Sequence, residues 1–193
     1  MSSTEPIRNS NELKNFIDYY KQEELNPRNF CLIVAGLNTA LRIGDLLKLT
    51  WDDVFNFAEN SFRSHLIVKE SKTDKFQSIA INKELLDALL SLKIYLKKIE
   101  PCQYLFESNK SNSPISRIQA YRIIKKAAVM TLADSSHISC HSLRKTFGYF
   151  AYKKGTNPAL LMSIYNHSSF EITKRYLGIN QDEKDSVFLS LHF

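Results

Sequence analysis

Only two neighbouring stretches of this chain, Ser64 to Glu70 and Phe76 to Ile81, are rich in β-formers, and the polar run Ser71-Lys72-Thr73-Asp74-Lys75 between them suits a hairpin turn. Elsewhere apolar residues recur at helical spacings, so the chain has material for one antiparallel hairpin and otherwise for helices. Leu13, Phe16, Ile17 and Tyr20 carry the period between Asn11 and Lys21, until Asn26-Pro27 interrupts it. From Arg28 to Asn38 little polar face remains, which predicts a buried helix; a short one begins near Ile43, and Trp51 and Val54 close the block. Beyond the hairpin, Leu85, Leu86, Leu89, Leu92 and Leu96 mark a helix from Lys83 to Lys98, which Pro101 ends. Amphipathic stretches follow from Ser116 to Leu132 and from His141 to Lys154, the second stopped by Gly155. Asn157-Pro158 then supplies an N-cap and a first helical residue, and Ser168 with Glu171 has capping-box spacing for a helix towards Tyr176. The expected fold is mainly α with a small antiparallel β-sheet, an α+β domain.

A chain of 193 residues closes one core rather than two, and 44% hydrophobic with 11% aromatic residues excludes intrinsic disorder. Lys and Arg number 26 against 20 Asp and Glu, a net charge of +6 that favours a polyanionic partner without requiring one. Cys31, Cys102 and Cys140 are too scattered for a disulfide framework or a metal cluster, and read as reduced, buried thiols of a cytoplasmic protein. Met1 to Ser10 lacks the pattern of a secretory signal, and no apolar run reaches transmembrane length. After Gln181 charges alternate with Val187, Phe188, Leu189 and Leu191, a tail that needs a surface to dock against.

Chemistry-bearing side chains gather in a few segments. In His141-Ser142-Leu143-Arg144 the i,i+3 spacing puts an imidazole and a guanidinium on one face at the start of a helix. Both could meet a phosphate there, or form a surface charge pair. Arg42 and Asp45 share a helix face amid residues suited to a core, which leaves open an intrahelical ion pair or an arginine held rigidly to grip phosphate oxygens. Lys72 sits at the hairpin tip, either merely solvated or poised to enter a bound substrate. His167 stands just before the capped helix, and Tyr176 follows nine residues later.

With Arg42, Lys72, His141, Arg144, His167 and Tyr176 in this order and approximate spacing, the chain resembles the tyrosine recombinase, or phage integrase, family from about Pro6 to Gly178. The first arginine of that family lies in a segment similar to Ala40-Leu41-Arg42-Ile43-Gly44-Asp45-Leu46-Leu47, with an acidic residue where Asp45 stands. Its hairpin lysine matches Lys72, its histidine and second arginine match His141 and Arg144, its second histidine or tryptophan matches His167, and its nucleophile matches Tyr176. Two positions depart from the pattern: Tyr165-Asn166 stands where Leu-Gly is frequent, and Ser142 where Asp is common.

The resemblance implies a single catalytic domain over 1–193, with no room for the separate N-terminal core-binding domain that most members carry. It implies that Tyr176 attacks a DNA phosphodiester to give a 3′-phosphotyrosyl bond, with Arg42 and Arg144 on the non-bridging oxygens. His141 would accept the phenol proton, Lys72 would supply one to the leaving 5′ oxygen, His167 would bind the phosphate and Asp45 would orient the site. No cofactor is implied, and the sequence shows no Gly-rich phosphate loop, two-metal carboxylate cluster or Cys/His zinc pattern. The implied partners are double-stranded DNA and further copies of the chain in a tetramer whose members exchange C-terminal segments. The stretch 181–193 would be that segment, or a helix folded back on its own domain. Two other functions fit the same residues: type IB topoisomerase-like relaxation, and a non-catalytic DNA-binding regulator with this fold.

Overall fold

The computed structural model describes residues 4–72 and 74–191, the side chains of residues 180–183 excepted. Most of its helices begin where polar side chains satisfy the first amides. Helix α1 (Ser10–Gln22) is capped by Asn9, whose side chain accepts from the amides of Asn11 and Glu12. Asn26-Pro27, which interrupts the first helical pattern, also starts the second: Asn26 caps α2 (Pro27–Thr39) with Pro27 at its first position. Nine residues of α2 are buried, because it lies at the centre of the molecule and packs on α1, α5 (Lys83–Leu96) and α7 (Cys140–Lys153). The short α3 (Ile43–Leu46) and α4 (Trp51–Val54) follow α2, and α6 (Arg117–Thr131) lies against α1.

The hairpin forms between β3 (His65–Lys69) and β4 (Phe76–Ala80), antiparallel, with Leu66 opposite Ile79 and Val68 opposite Gln77. Thr73 of its turn lies outside the described residues. The sheet content exceeds the sequence expectation: β1 (Phe55–Asn56) pairs with β2 (Ser61–Phe62), and β5 (Glu107–Ser108) with β6 (Ser111–Pro114). Such short ladders carry no period of their own.

Three apolar clusters hold these elements. One packs Leu32, Leu46, Trp51, Leu66, Leu89 and Phe106 between α2, α5 and the hairpin. A second joins α1, α2, α6 and α7 through Phe16, Tyr20, Ile33, Ile124 and Leu143. The third, Tyr149, Leu161, Tyr165, Leu177 and Ile179, fastens α8 (Pro158–Tyr165), α9 (Phe170–Leu177) and the start of α10 (Ile179–Ser190) to α7. A buried Leu or Phe contributes about 1.5–3 kcal/mol, so each cluster outweighs any single polar contact.

Two expectations need correction. Ser168 does not cap α9; Ser169 has the extended cap backbone, and its side chain accepts from the Ile172 amide. Cys31 is buried and Cys140 half-buried, but Cys102 is exposed, because it follows Pro101 in a surface turn. Val187, Phe188 and Leu189 of α10, and Leu191 just after it, are all exposed, so this apolar row does not pack on its own domain. His192 and Phe193, the end of the expected tail, lie outside the described residues. No helix among the described residues is long and apolar enough to cross a membrane.

Candidate active site

The site starts from a sharp turn after α2. Ala40 takes the left-handed backbone (φ 53, ψ 17), and the chain leaves it with Arg42 as the extended N-cap of α3. Arg42 therefore does not pair with Asp45 on one helix face, as the spacing suggested. Its Nη1 donates to Glu70 Oε2 at 2.8 Å, while Asp45, buried, accepts the Ser71 amide on Oδ1 at 3.1 Å. Asp45 thus fixes the base of the hairpin one residue before Lys72, which is exposed in the turn.

Arg144 belongs to α7 and is only 3% exposed, which excludes a surface charge pair with His141. Its Nη1 donates to the Ala40 carbonyl and lies 3.7 Å from Glu70 Oε1, and its Nη2 donates to the Tyr165 carbonyl at 3.5 Å. Its guanidinium carbon stands 4.6 Å from the centre of the Tyr165 ring, and the Tyr165 hydroxyl donates to the Arg144 carbonyl at 2.6 Å. Gly148 makes this closure possible, since a Cβ there would collide with the Tyr165 hydroxyl and a Leu177 methyl. The third apolar cluster and the arginine are therefore locked together.

His167 follows Asn166, whose left-handed backbone (φ 54, ψ 42) ends α8. Its Nδ1 is 3.1 Å from Thr173 Oγ1, which turns Nε2 away from the helix, and its ring stacks on Tyr165 at 5.5 Å. Tyr176 meets the His167 ring at 5.3 Å and the Tyr165 ring at 5.4 Å, with Lys145 Nζ 5.2 Å from its own centre. Burial raises the Tyr176 phenol above its ordinary 10, opposed by Arg144, through charge and hydrogen bonding, and by Arg42. His167 is held below its ordinary 6.5 by desolvation, then by Arg144, Arg42 and Lys72. His141 sits exposed in the first turn of α7, yet neighbouring atoms crowd its ring; that desolvation, with Arg144, Lys145, Arg42 and Arg117, also lowers its pKa.

Arg42, Arg144, His167 and Tyr176 thus converge, with His141 and Lys72 within reach of the same field and Asp45 behind the hairpin. The arrangement offers two fixed guanidinium groups, a neutral imidazole and a phenol, a set suited to an anion with a reactive centre. Among the described residues no group of three or more His, Cys, Asp or Glu is placed to hold a metal ion. Sequence reasoning missed Glu70, Tyr165, Asn166 and Thr173, which hold the others. A signal for Glu70 existed: it continues the inward alternation of Leu66 and Val68, placing a carboxylate at a core position.

Comparison with known proteins shows the family and the fold. The model of the phage integrase family matches residues 8–183. The chain is 40% identical over 188 residues to the probable integrase/recombinase YoeC of Bacillus subtilis (strain 168), covering 97% of each. Its fold is similar to the crystal structure of XerA recombinase, at a TM-score of 0.74 and 22% identity over 98% of this chain and 67% of that one. It is also similar to the Tn1549 transposon integrase in complex with transposon right end DNA, at 0.65 and 24%, over 89% of this chain and 60% of that one. The chain therefore spans nearly all of YoeC but three fifths to two thirds of these two solved chains, whose likeness speaks for the fold alone. With the family match spanning most of the chain and a relative at 40% identity over nearly its full length, this protein belongs to the phage integrase family.

Proposed function

We propose that this chain breaks and rejoins double-stranded DNA at specific sites through a covalent 3′-phosphotyrosyl bond to Tyr176. The observation that carries the proposal is the convergence of Arg42 and Arg144 beside Tyr176, with His167 packed on its ring. In the step, the Tyr176 oxygen bonds to phosphorus as the bond to the 5′ oxygen breaks. The phenol proton passes to His141, whose lowered pKa keeps it neutral at pH 7 and able to accept. Lys72, carried on the hairpin, protonates the departing 5′ oxygen. Arg42 and Arg144 neutralise charge on the non-bridging oxygens, and loss of one such preorganised donor costs on the order of 10²- to 10³-fold. His167 contacts the phosphate through Nε2, and Asp45 acts through the Ser71 amide. A second 5′-hydroxyl reverses the step on another strand, so the phosphodiester energy is retained.

The same reading has the protein act in the cytoplasm and assemble as a tetramer on DNA, with the apolar row of α10 docking on a neighbouring copy. The exposure of Val187, Phe188, Leu189 and Leu191 supports that docking. Chemistry is tested by incubating the protein with a panel of nicked duplexes and probing for an SDS-resistant adduct. An adduct that disappears in Tyr176→Phe is expected; one that persists in the variant, or none from DNA-binding wild type on any duplex, overturns the assignment.

A further inference from the structure

Glu70 is fully buried at the end of β3, a place where a carboxylate is costly unless charged partners surround it. Its Oε2 accepts from Arg42 Nη1 at 2.8 Å and from Asn166 Nδ2 at 3.0 Å, and its Oε1 lies 3.7 Å from Arg144 Nη1. Its backbone closes the hairpin that bears Lys72, the amide donating to the Lys75 carbonyl and the carbonyl accepting from Asp74, both at 2.9 Å. One residue thus touches both guanidinium groups, the base of the lysine hairpin and the residue before His167. These parts come from four separate stretches of chain, and Glu70 is the carboxylate that faces both guanidinium groups among them. Asn166 fits the same logic: Asn is the L residue that best tolerates a left-handed backbone after Gly, and unlike Gly it brings an amide to Glu70.

We propose that Glu70, with Asn166 as its second anchor, is a positioning residue that sets the guanidinium groups of Arg42 and Arg144 in fixed relation for the scissile phosphate. The proposal rests on the assignment of the two arginines given above. Glu70 lies behind the arginines with no solvent exposure, so it offers no surface to DNA. Its carboxylate takes one nitrogen of the Arg42 fork, Nη1, by a hydrogen bond and faces Arg144 Nη1 at 3.7 Å. Because a reacting group displaced by ~1 Å can lose about 10²-fold in rate, a residue that only orients arginines can matter as much as one that touches substrate.

The test measures single-turnover adduct formation on a nicked duplex at saturating protein, with DNA affinity alongside, for Glu70→Ala and Glu70→Gln. Glu70→Ala is expected to slow cleavage by about 10²-fold while affinity, set mostly by phosphate contacts over the whole duplex, changes by less than roughly threefold. Glu70→Gln, which keeps the size and an acceptor for Arg42, should lose less than Glu70→Ala. In an Arg42→Ala background, adding Glu70→Ala should slow cleavage by no more than about threefold, since a residue acting through Arg42 has little left to lose. Multiplicative losses in that double variant would show a merely structural role and overturn the proposal. NMR of the arginine Nε–Hε groups reads the geometry without any reaction. Resolved Arg42 and Arg144 signals in wild type should broaden or merge with bulk arginines in Glu70→Ala, and unchanged signals overturn the proposal. Should wild type form no adduct, the active-site assignment fails and the NMR result alone decides whether Glu70 holds the arginines.

Discussion

The imidazoles of His141 and His167 both sit in a cationic neighbourhood, and each is held below its ordinary pKa first by desolvation and then by surrounding charges. In the unfolded chain a histidine takes its proton near 6.5, whereas in the folded chain these two resist until lower pH. Above 6.5 both states are neutral there and the groups contribute nothing to the pH dependence of stability. As pH falls from 6.5 towards the folded values, the unfolded state binds more protons and stability is lost. The melting temperature should therefore be level from pH 8 to 7 and decline below about 6.5, before most carboxylates titrate. Replacing both residues by Gln should flatten that decline, as read by thermal unfolding across a pH series in the absence of DNA. A double variant whose profile overlays wild type would show that other groups govern acid sensitivity. On the proposed mechanism cleavage should fall only at lower pH than the onset of this stability loss, where folded His141 itself takes a proton and can no longer accept one from Tyr176.

At the scale of the element, the start of α9 decides how Tyr176 is presented. Sequence spacing favours a cap at Ser168, with Glu171 three residues on, but the left-handed Asn166 sets the exit from α8 so that Ser169 reaches the Ile172 amide, at 3.3 Å. Ser169→Ala should then cost about 1 kcal/mol in denaturant unfolding, and Ser168→Ala less than about 0.5 kcal/mol. Equal losses would return the cap to Ser168. The case illustrates what the sequence can express. Helices α1, α2, α5, α6 and α7 were legible because each carries its own period and its own stop or start residues, such as Asn26-Pro27 and Gly155. Sheets β1–β2 and β5–β6 were not, since ladders of two to four residues such as Ser111–Pro114 are too short to show a strand alternation. The site divides the same way. The order and types of Arg42, Lys72, His141, Arg144, His167 and Tyr176 are local facts of sequence. The partner of Arg42 is not, because the left-handed turn at Ala40 takes it off the α3 face that it would share with Asp45 and aims it at a carboxylate 28 residues away.

For the molecule as a whole, the end of α10 presents a row of exposed apolar side chains. Phe188 and Leu189 are 76% and 77% exposed, flanked by Val187 and Leu191, which are more than half exposed. Burying such side chains on a neighbour would gain about 1.5–3 kcal/mol each, a contribution unavailable on the parent domain in this arrangement. Strand cleavage at one site needs only the chemistry of one chain, whereas exchange between two sites needs copies held together. The two activities should therefore separate when the apolar row is spoiled. Phe188→Asp with Leu189→Asp is expected to leave melting temperature and adduct formation on a nicked duplex close to wild type, since neither residue packs in the core or the site. Recombination between two sites should fall at least about tenfold, the loss expected when as little as 1.4 kcal/mol of association energy is removed. The mass of the protein–DNA assembly in solution should fall with it, as measured by light scattering after gel filtration. Normal recombination with an unchanged assembly would mean that α10 docks elsewhere or not at all, and that copies meet through another face.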